Sequence, residues 1–237
     1  DIGGRTYLNL IDKILPIIED QDYTIEIKDD RKDYDLKFES IDESYLSDIN
    51  WPKTHPQAGQ PIVLRDYQVK VINEFIGNPQ SLQEIATGAG KTIITAALSK
   101  MCEKYGRTIV IVPNKSLVGQ TEQDYITCGL DVGVYFGDRK ELGHQHTICT
   151  WQSLNILHKK SKKQEAPFPI EEFIKDVVCI MVDEVHMAKA DVLKTLLTGP
   201  FAHVPMRWGL TGTIPKEDYE KVSLVASLGK VIGQLSA

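Results

Sequence analysis

Unbroken apolar runs and helically spaced apolar positions take turns along most of this chain. Residues 108–112 (TIVIV) and 177–182 (VVCIMV) are continuous apolar runs, the pattern of parallel strands covered on both faces. Shorter runs at 81–86, 133–136, 147–149 and 207–210 read as further strands. Between them, residues 67–76, 91–105 and 116–125 read as helices. From residue 62 onward the order is therefore helix, strand, helix, strand, which predicts an α/β fold: a parallel sheet with helices on both faces. In such sheets ligands sit outside the carboxyl ends of the strands, so residues that directly follow a strand carry most weight.

The first sixty residues read differently. Leu8, Ile11, Leu15 and Ile18 have helical spacing across residues 5–19, with Pro16 expected to kink or shorten the helix. Residues 23–28 (YTIEIK) alternate and predict a strand. A charged stretch follows, and residues 51–61 (WPKTHPQAGQP) hold three prolines and a glycine. We place a boundary there: a small, incomplete N-terminal α/β attachment over 1–57, and the main domain over 58–237. The chain opens on Asp1 without a methionine and stops just after an apolar-rich segment. It is expected to be a piece of a longer protein.

Composition narrows the picture. The chain has 237 residues, enough to bury a core without disulfide or metal staples. Cys102, Cys128, Cys149 and Cys179 lie far apart without metal-ligand spacing, so buried, reduced thiols are expected. No apolar run approaches the roughly 20 residues that span a bilayer, and without a basic n-region followed by an apolar stretch secretion is not expected. The net charge of −6 argues against diffuse attraction to nucleic acid; any such binding must use local contacts.

Two strand ends carry chemistry. The first strand leads into Thr87-Gly88-Ala89-Gly90-Lys91-Thr92 and then a helix. Glycines let backbone N–H groups converge on a polyphosphate, and the helix start adds partial positive charge. Lys91 would reach the β- and γ-phosphates of ATP, and the Thr92 hydroxyl would ligate Mg²⁺. Ile85 stands where the usual pattern begins with glycine. The run 177–182 leads into Asp183-Glu184-Val185-His186. Two carboxylates leaving a buried strand need a cation. A nucleotide-bound Mg²⁺ would supply it, with Asp183 on the metal and Glu184 polarising the attacking water. His186 would link the nucleotide site to a neighbouring element.

With these residues in place, the chain resembles the helicases of superfamily two, over 64–213. Leu64-Arg65-Asp66-Tyr67-Gln68 is similar to the family's adenine-reading segment, which implies nucleotide contacts from Arg65 and Gln68. The segment beginning Val112-Pro113-Asn114-Lys115 resembles one that grips the nucleic-acid backbone, and Thr150-Trp151-Gln152-Ser153 resembles a second. Thr211-Gly212-Thr213 resembles the motif that couples hydrolysis to strand movement. The combination looks closest to phage recombination helicases of the UvsW type and repair helicases of the XPB type. The resemblance implies a RecA-like fold, ATP and Mg²⁺ as cofactors, and DNA as partner. It also implies 3′-to-5′ translocation on branched DNA in the cytoplasm of a prokaryotic or phage-infected cell. A second RecA-like domain, expected beyond residue 237, would supply arginines worth about 10³–10⁵ in rate. The chain by itself is thus expected to be nearly inert as an ATPase.

Other readings stay open at this stage: an RNA remodeller, a restriction-complex motor subunit, or a nucleotide-gated binding module without hydrolysis. Two weaker features remain. Residues 158–163 (HKKSKK) form the basic run, expected in a loop after the Trp151 segment, either solvated or touching phosphate. Trp151 either packs in the core or stacks on a base.

Overall fold

The computed structural model describes residues 4–31 and 34–235. Its strands are β1 (Gln80–Ile85), β2 (Arg107–Val112), β3 (Val132–Phe136), β4 (Arg139–Lys140), β5 (His146–Thr150), β6 (Val177–Val182), β7 (Met206–Thr211) and β8 (Lys230–Leu235). The helices are α1 (Ile11–Glu19), α2 (Asp66–Ile76), α3 (Lys91–Cys102), α4 (Lys115–Thr127), α5 (Trp151–Lys162), α6 (Ile170–Phe173), α7 (Ala190–Thr198) and α8 (Asp218–Leu228). The strands form one sheet in the order β4-β3-β5-β2-β6-β7-β1-β8. Every pairing is parallel except β3 with β4. No helix among the described residues is long and apolar enough to cross a membrane.

Strand alternation feeds two cores, one on each face of the sheet. Val110, Val112, Cys179 and Met181 join the core that α2, α3 and α4 cover, with Phe75, Ile94 and Val118 among its members. Ile109, Ile111, Ile180 and Val182 join the opposite core, with Leu154, Phe173, Leu193 and Leu224 from the covering helices. Continuous apolar runs are the outcome of burial on both faces. The four cysteines are buried thiols without disulfides.

The N-terminal sixth departs from the sequence pattern. The helix forms and ends three residues after Pro16. Residues 23–28, expected as a strand, make no ladder; Tyr23 and Ile27 are exposed. An isolated alternating segment gains a strand only when a neighbour's backbone pairs with it. Residues 36–51 instead lie on the first core: Leu46 is fully buried, and Leu36, Phe38, Ile41 and Ile49 pack beside it. Asn73 on α2 bonds both backbone groups of Ile41, at 2.9 Å each. The proline-rich stretch folds back on itself through Ile62 N–H to Ile49 O and Trp51 N–H to Gln60 O. The basic run is not a loop but the last turn of α5 and the residue after it, because Leu154 and Leu157 anchor that helix in the second core.

A polar chain crosses the first layer. The Tyr125 hydroxyl meets Ser99 Oγ at 2.7 Å, Ser99 meets Thr108 Oγ1 at 3.1 Å, and Thr108 meets His146 Nδ1 at 2.7 Å. His146 Nε2 closes on Glu103 Oε1 at 2.8 Å. A neutral imidazole satisfies this chain, with Nδ1 accepting from Thr108 and Nε2–H donating to Glu103. Burial outweighs Glu103 and holds the His146 pKa below its ordinary 6.5. The unfolded chain therefore takes up a proton near pH 6.5 that the folded site refuses. Stability is expected to hold above that pH and to fall below it, by up to about 1.4 kcal/mol per pH unit from this group. His146→Gln should flatten the fall in equilibrium denaturation between pH 7 and 5; identical slopes for both proteins would refute the assignment.

Candidate functional site

Strands β6, β7 and β1 are neighbours and parallel, so their carboxyl ends open on one edge. That edge receives Asp183-Glu184 from β6, Thr211-Gly212-Thr213 from β7 and the Thr87–Thr92 loop from β1. The sheet thereby joins three segments that are far apart in the chain.

The loop has the backbone its glycines allow. Gly88 and Gly90 have φ of +84° and +75°. A Cβ on Gly90 would stand 2.6 Å from Gln68 Nε2, so a side chain there would collide as well as strain the backbone. Ile85 takes the usual glycine position without harm: its side chain is fully buried in the core, and its carbonyl accepts from Lys91 Nζ at 3.5 Å.

Lys91, the first residue of α3, is 8% exposed and pairs with Glu184: Nζ to Oε1 is 2.5 Å. The other carboxylate oxygen, Oε2, accepts from Gly212 N–H at 3.2 Å. Glu184 itself has φ +49°, a left-handed conformation that turns the chain out of β6 into a short 3₁₀ turn, Val185–Met187. His186 Nδ1 lies 2.7 Å from Thr211 Oγ1 and 3.4 Å from Glu184 Oε2. The Thr211 hydroxyl donates to Thr213 O at 2.7 Å, so it accepts from His186, which fixes the proton on Nδ1. Thr87 completes the group: a Cβ on Gly212 would lie 3.4 Å from Thr87 Oγ1 and 3.7 Å from Glu184 Oε2. Gly212 thus lies in ordinary contact distance of both loop and carboxylate.

Asp183 is 5% exposed and accepts from Glu184 N–H at 2.9 Å. Burial and the neighbouring Glu184 carboxylate raise its pKa to about 6. A carboxylate held in this way favours a cation beside it. The other expected metal ligand behaves differently: the Thr92 hydroxyl faces the half-buried Asp124 of α4 and partly offsets the rise that burial causes there. Among the described residues no group of three His, Cys, Asp or Glu side chains is placed to hold a metal by itself. Any cation here would complete its shell with phosphate and water oxygens.

Gln68 is buried beneath the loop. Its Oε1 accepts from Arg65 N–H at 2.9 Å and its Nε2 donates to Ala89 O at 3.1 Å. One N–H and one lone pair remain for a ligand. Tyr67, which the sequence reading passed over, donates to the same carbonyl at 3.1 Å and accepts from Arg65 Nη1 at 2.9 Å. The Arg65–Gln68 segment thus fastens the phosphate loop at Ala89.

The remaining expected residues gather elsewhere on the same edge. Strands β2, β5 and β3 are adjacent, and their ends enclose a cavity of about 600 Å³ bordered by Pro113, Asn114, Lys115, Thr150 and Gln152. Two helices begin at it: Asn114 caps α4 by accepting from Leu117 N–H, and Thr150 caps α5 by accepting from Ser153 N–H. Trp151 is not among the bordering residues. Its ring packs against the second core, and its Nε1 is buried without a hydrogen-bond partner among the described residues.

The family described as "Type III restriction enzyme, res subunit" matches residues 61–216. The chain is 27% identical over 172 residues to a DNA 3'-5' helicase XPB of Kineococcus radiotolerans. It is 26% identical over 170 residues to one of Mycobacterium tuberculosis. Each alignment takes in 70% of this chain and 29% of the relative, so the chain spans under a third of these proteins. The UvsW helicase of bacteriophage T4 shares the fold with a TM-score of 0.72 at 17% identity, over 95% of this chain and 78% of that structure.

Proposed function

The chain belongs to the family of the type III restriction enzyme res subunit, and on that footing we propose that it is the ATP-binding domain of a DNA helicase. The observation that carries the reading is the Lys91–Glu184 pair at the ends of β1 and β6, with Gly212 between loop and carboxylate. The two groups neutralise each other in a nearly dry site. A γ-phosphate offers Lys91 a stronger anion, and its turn toward phosphate releases Glu184 to take a proton from water. Thr87 and the N–H groups from Gly88 to Thr92 cradle phosphate oxygens, with Arg65 and Gln68 at the base of the loop.

The donor set fits magnesium: Asp183 is a buried carboxylate in want of a cation, and Thr92 stands one residue beyond Lys91. When bound, Mg²⁺ draws charge from the phosphates. The Thr92 hydroxyl would turn from Asp124 to join it. Release of Glu184 is felt at His186 and through it at Thr211 and Thr213, which couples hydrolysis to movement. The cavity at Pro113, Asn114, Lys115, Thr150 and Gln152 takes the DNA backbone, helped by two helix N-termini. A second RecA-like domain of the longer protein closes the site. Branched DNA as substrate, the cytoplasm as location and near-inertness of this chain alone belong to the same reading.

The deciding experiment is an ATPase assay of the full-length protein with single-stranded, duplex and forked DNA and with RNA. Turnover should rise with DNA, most with forks, and little with RNA. Equal turnover with and without nucleic acid would overturn the motor reading.

A further inference from the structure

The cavity at the ends of β2, β5 and β3 holds more positive charge than the motif residues bring. Lys140 borders it from β4 and Lys160 from the last turn of α5. Burial disfavours the charge on Lys140, and the nearby Lys160 adds to that effect. Among the described residues neither makes an ion pair. Arg139, beside Lys140, is by contrast saturated by Glu122 and Glu141. Asp138 is the one carboxylate whose field reaches Lys140. Both lysines are exposed, and an anion between them would offset their mutual repulsion.

Besides the polar residues at the two helix starts, part of the wall is apolar. Lys140 Nζ stands 4.3 Å from the centre of the Tyr135 ring, which fixes the lysine over an aromatic face. Phe136, Ile156 and Pro167 border the same space, and Ile156 stays 55% exposed although Leu154 and Leu157 of its helix are buried. A pocket bordered by lysines and by apolar side chains matches a nucleotide, whose phosphate and base call for both kinds of contact.

We propose that this cavity is a nucleotide subsite, in which Lys140 and Lys160 hold one phosphate of the bound strand while Phe136, Ile156 and Pro167 take its base. The inference rests on the DNA-binding reading above and extends it from the motif residues to the β3–β4 hairpin and the far end of α5. It also divides the basic run: Lys160 faces the subsite, whereas Lys159, Lys162 and Lys163 do not border it.

The test is binding of a fluorescent single-stranded oligonucleotide to the full-length protein across a salt series. Lys140→Gln/Lys160→Gln should weaken binding about tenfold at low salt and make the log–log salt slope shallower by about 0.7, the value for one single-strand phosphate. Ile156→Ser should weaken binding several-fold with the slope unchanged. The triple variant Lys159→Gln/Lys162→Gln/Lys163→Gln should keep the wild-type slope. If Lys115→Gln weakens binding while the Lys140/Lys160 variant does not, the subsite is wrong and the DNA reading stands. If the triple variant flattens the slope as much as the pair, the local assignment is wrong. If the wild-type protein binds no oligonucleotide, both fall.

Discussion

Glu184→Gln in the full-length protein is expected to lower ATP turnover by about 10²–10⁴-fold, the range for loss of a positioned general base. Nucleotide affinity should hold or improve. The carboxylate has two partners: Lys91 at 2.5 Å and Gly212 N–H at 3.2 Å. Glutamine has the same shape and can still accept from Gly212, so the turn out of β6 is preserved. It cannot accept a proton from water, and it removes the charge that competes with phosphate for Lys91. Lys91→Ala is the contrasting variant. It strips the cation from the loop and leaves Glu184 buried without its partner, so nucleotide binding itself should collapse. Fluorescent-nucleotide binding and steady-state ATPase rates together separate the two. Wild-type turnover by Glu184→Gln would remove Glu184 from the role of base.

Arg207→Met should destabilise the fold by about 3–5 kcal/mol, above the usual range for a single substitution. Arg207 lies on β7 with 5% exposure and, among the described residues, no carboxylate partner. Its guanidinium donates to five carbonyls: Val204, Leu197, Ser227, Phe201 and Ala202, at 2.6–3.2 Å. Leu197 and Ser227 lie at the carboxyl ends of α7 and α8, where helix dipoles favour a cation. Burial lowers its pKa to about 10, which leaves it charged at neutral pH. Methionine fills much of the volume but leaves five buried or partly buried acceptors without their donor. Lysine, a single point donor, cannot span them and should recover only part of the loss. Equilibrium urea denaturation reads the difference; a change under about 1 kcal/mol would mean that water or rearranged backbone replaces the guanidinium.

Arg207 also marks where sequence reading stops. In MRWGLT it looks like one polar position in a strand, and nothing nearby in the chain says which carbonyls it collects. Tyr67 was equally hidden: it sits within the Arg65–Gln68 segment, but its tie to Ala89 is made only when α2 lies beneath the loop. Lys140 carried no signal at all. The basic run did carry one, yet only the helical turn of α5 separates Lys160 from its three neighbours. The strand expected at residues 23–28 failed for the converse reason. Alternation states what a strand's two faces would look like, but a strand exists only if another backbone pairs with it.

The chain by itself determined the strand runs, the glycine loop and the carboxylates after β6. These depend on near neighbours: burial of a continuous run and backbone freedom at glycine. Strand order was decided only in three dimensions. Because β7 inserts between β6 and β1, Gly212 meets Thr87 and Glu184, and Lys91 meets Glu184 across 93 residues. Because β5 lies between β2 and β3, the Pro113 and Thr150 segments share a cavity with Lys140. Side-chain chemistry is local, but which strand ends become neighbours is set by pairing of whole strands and by the two cores that their faces must fill.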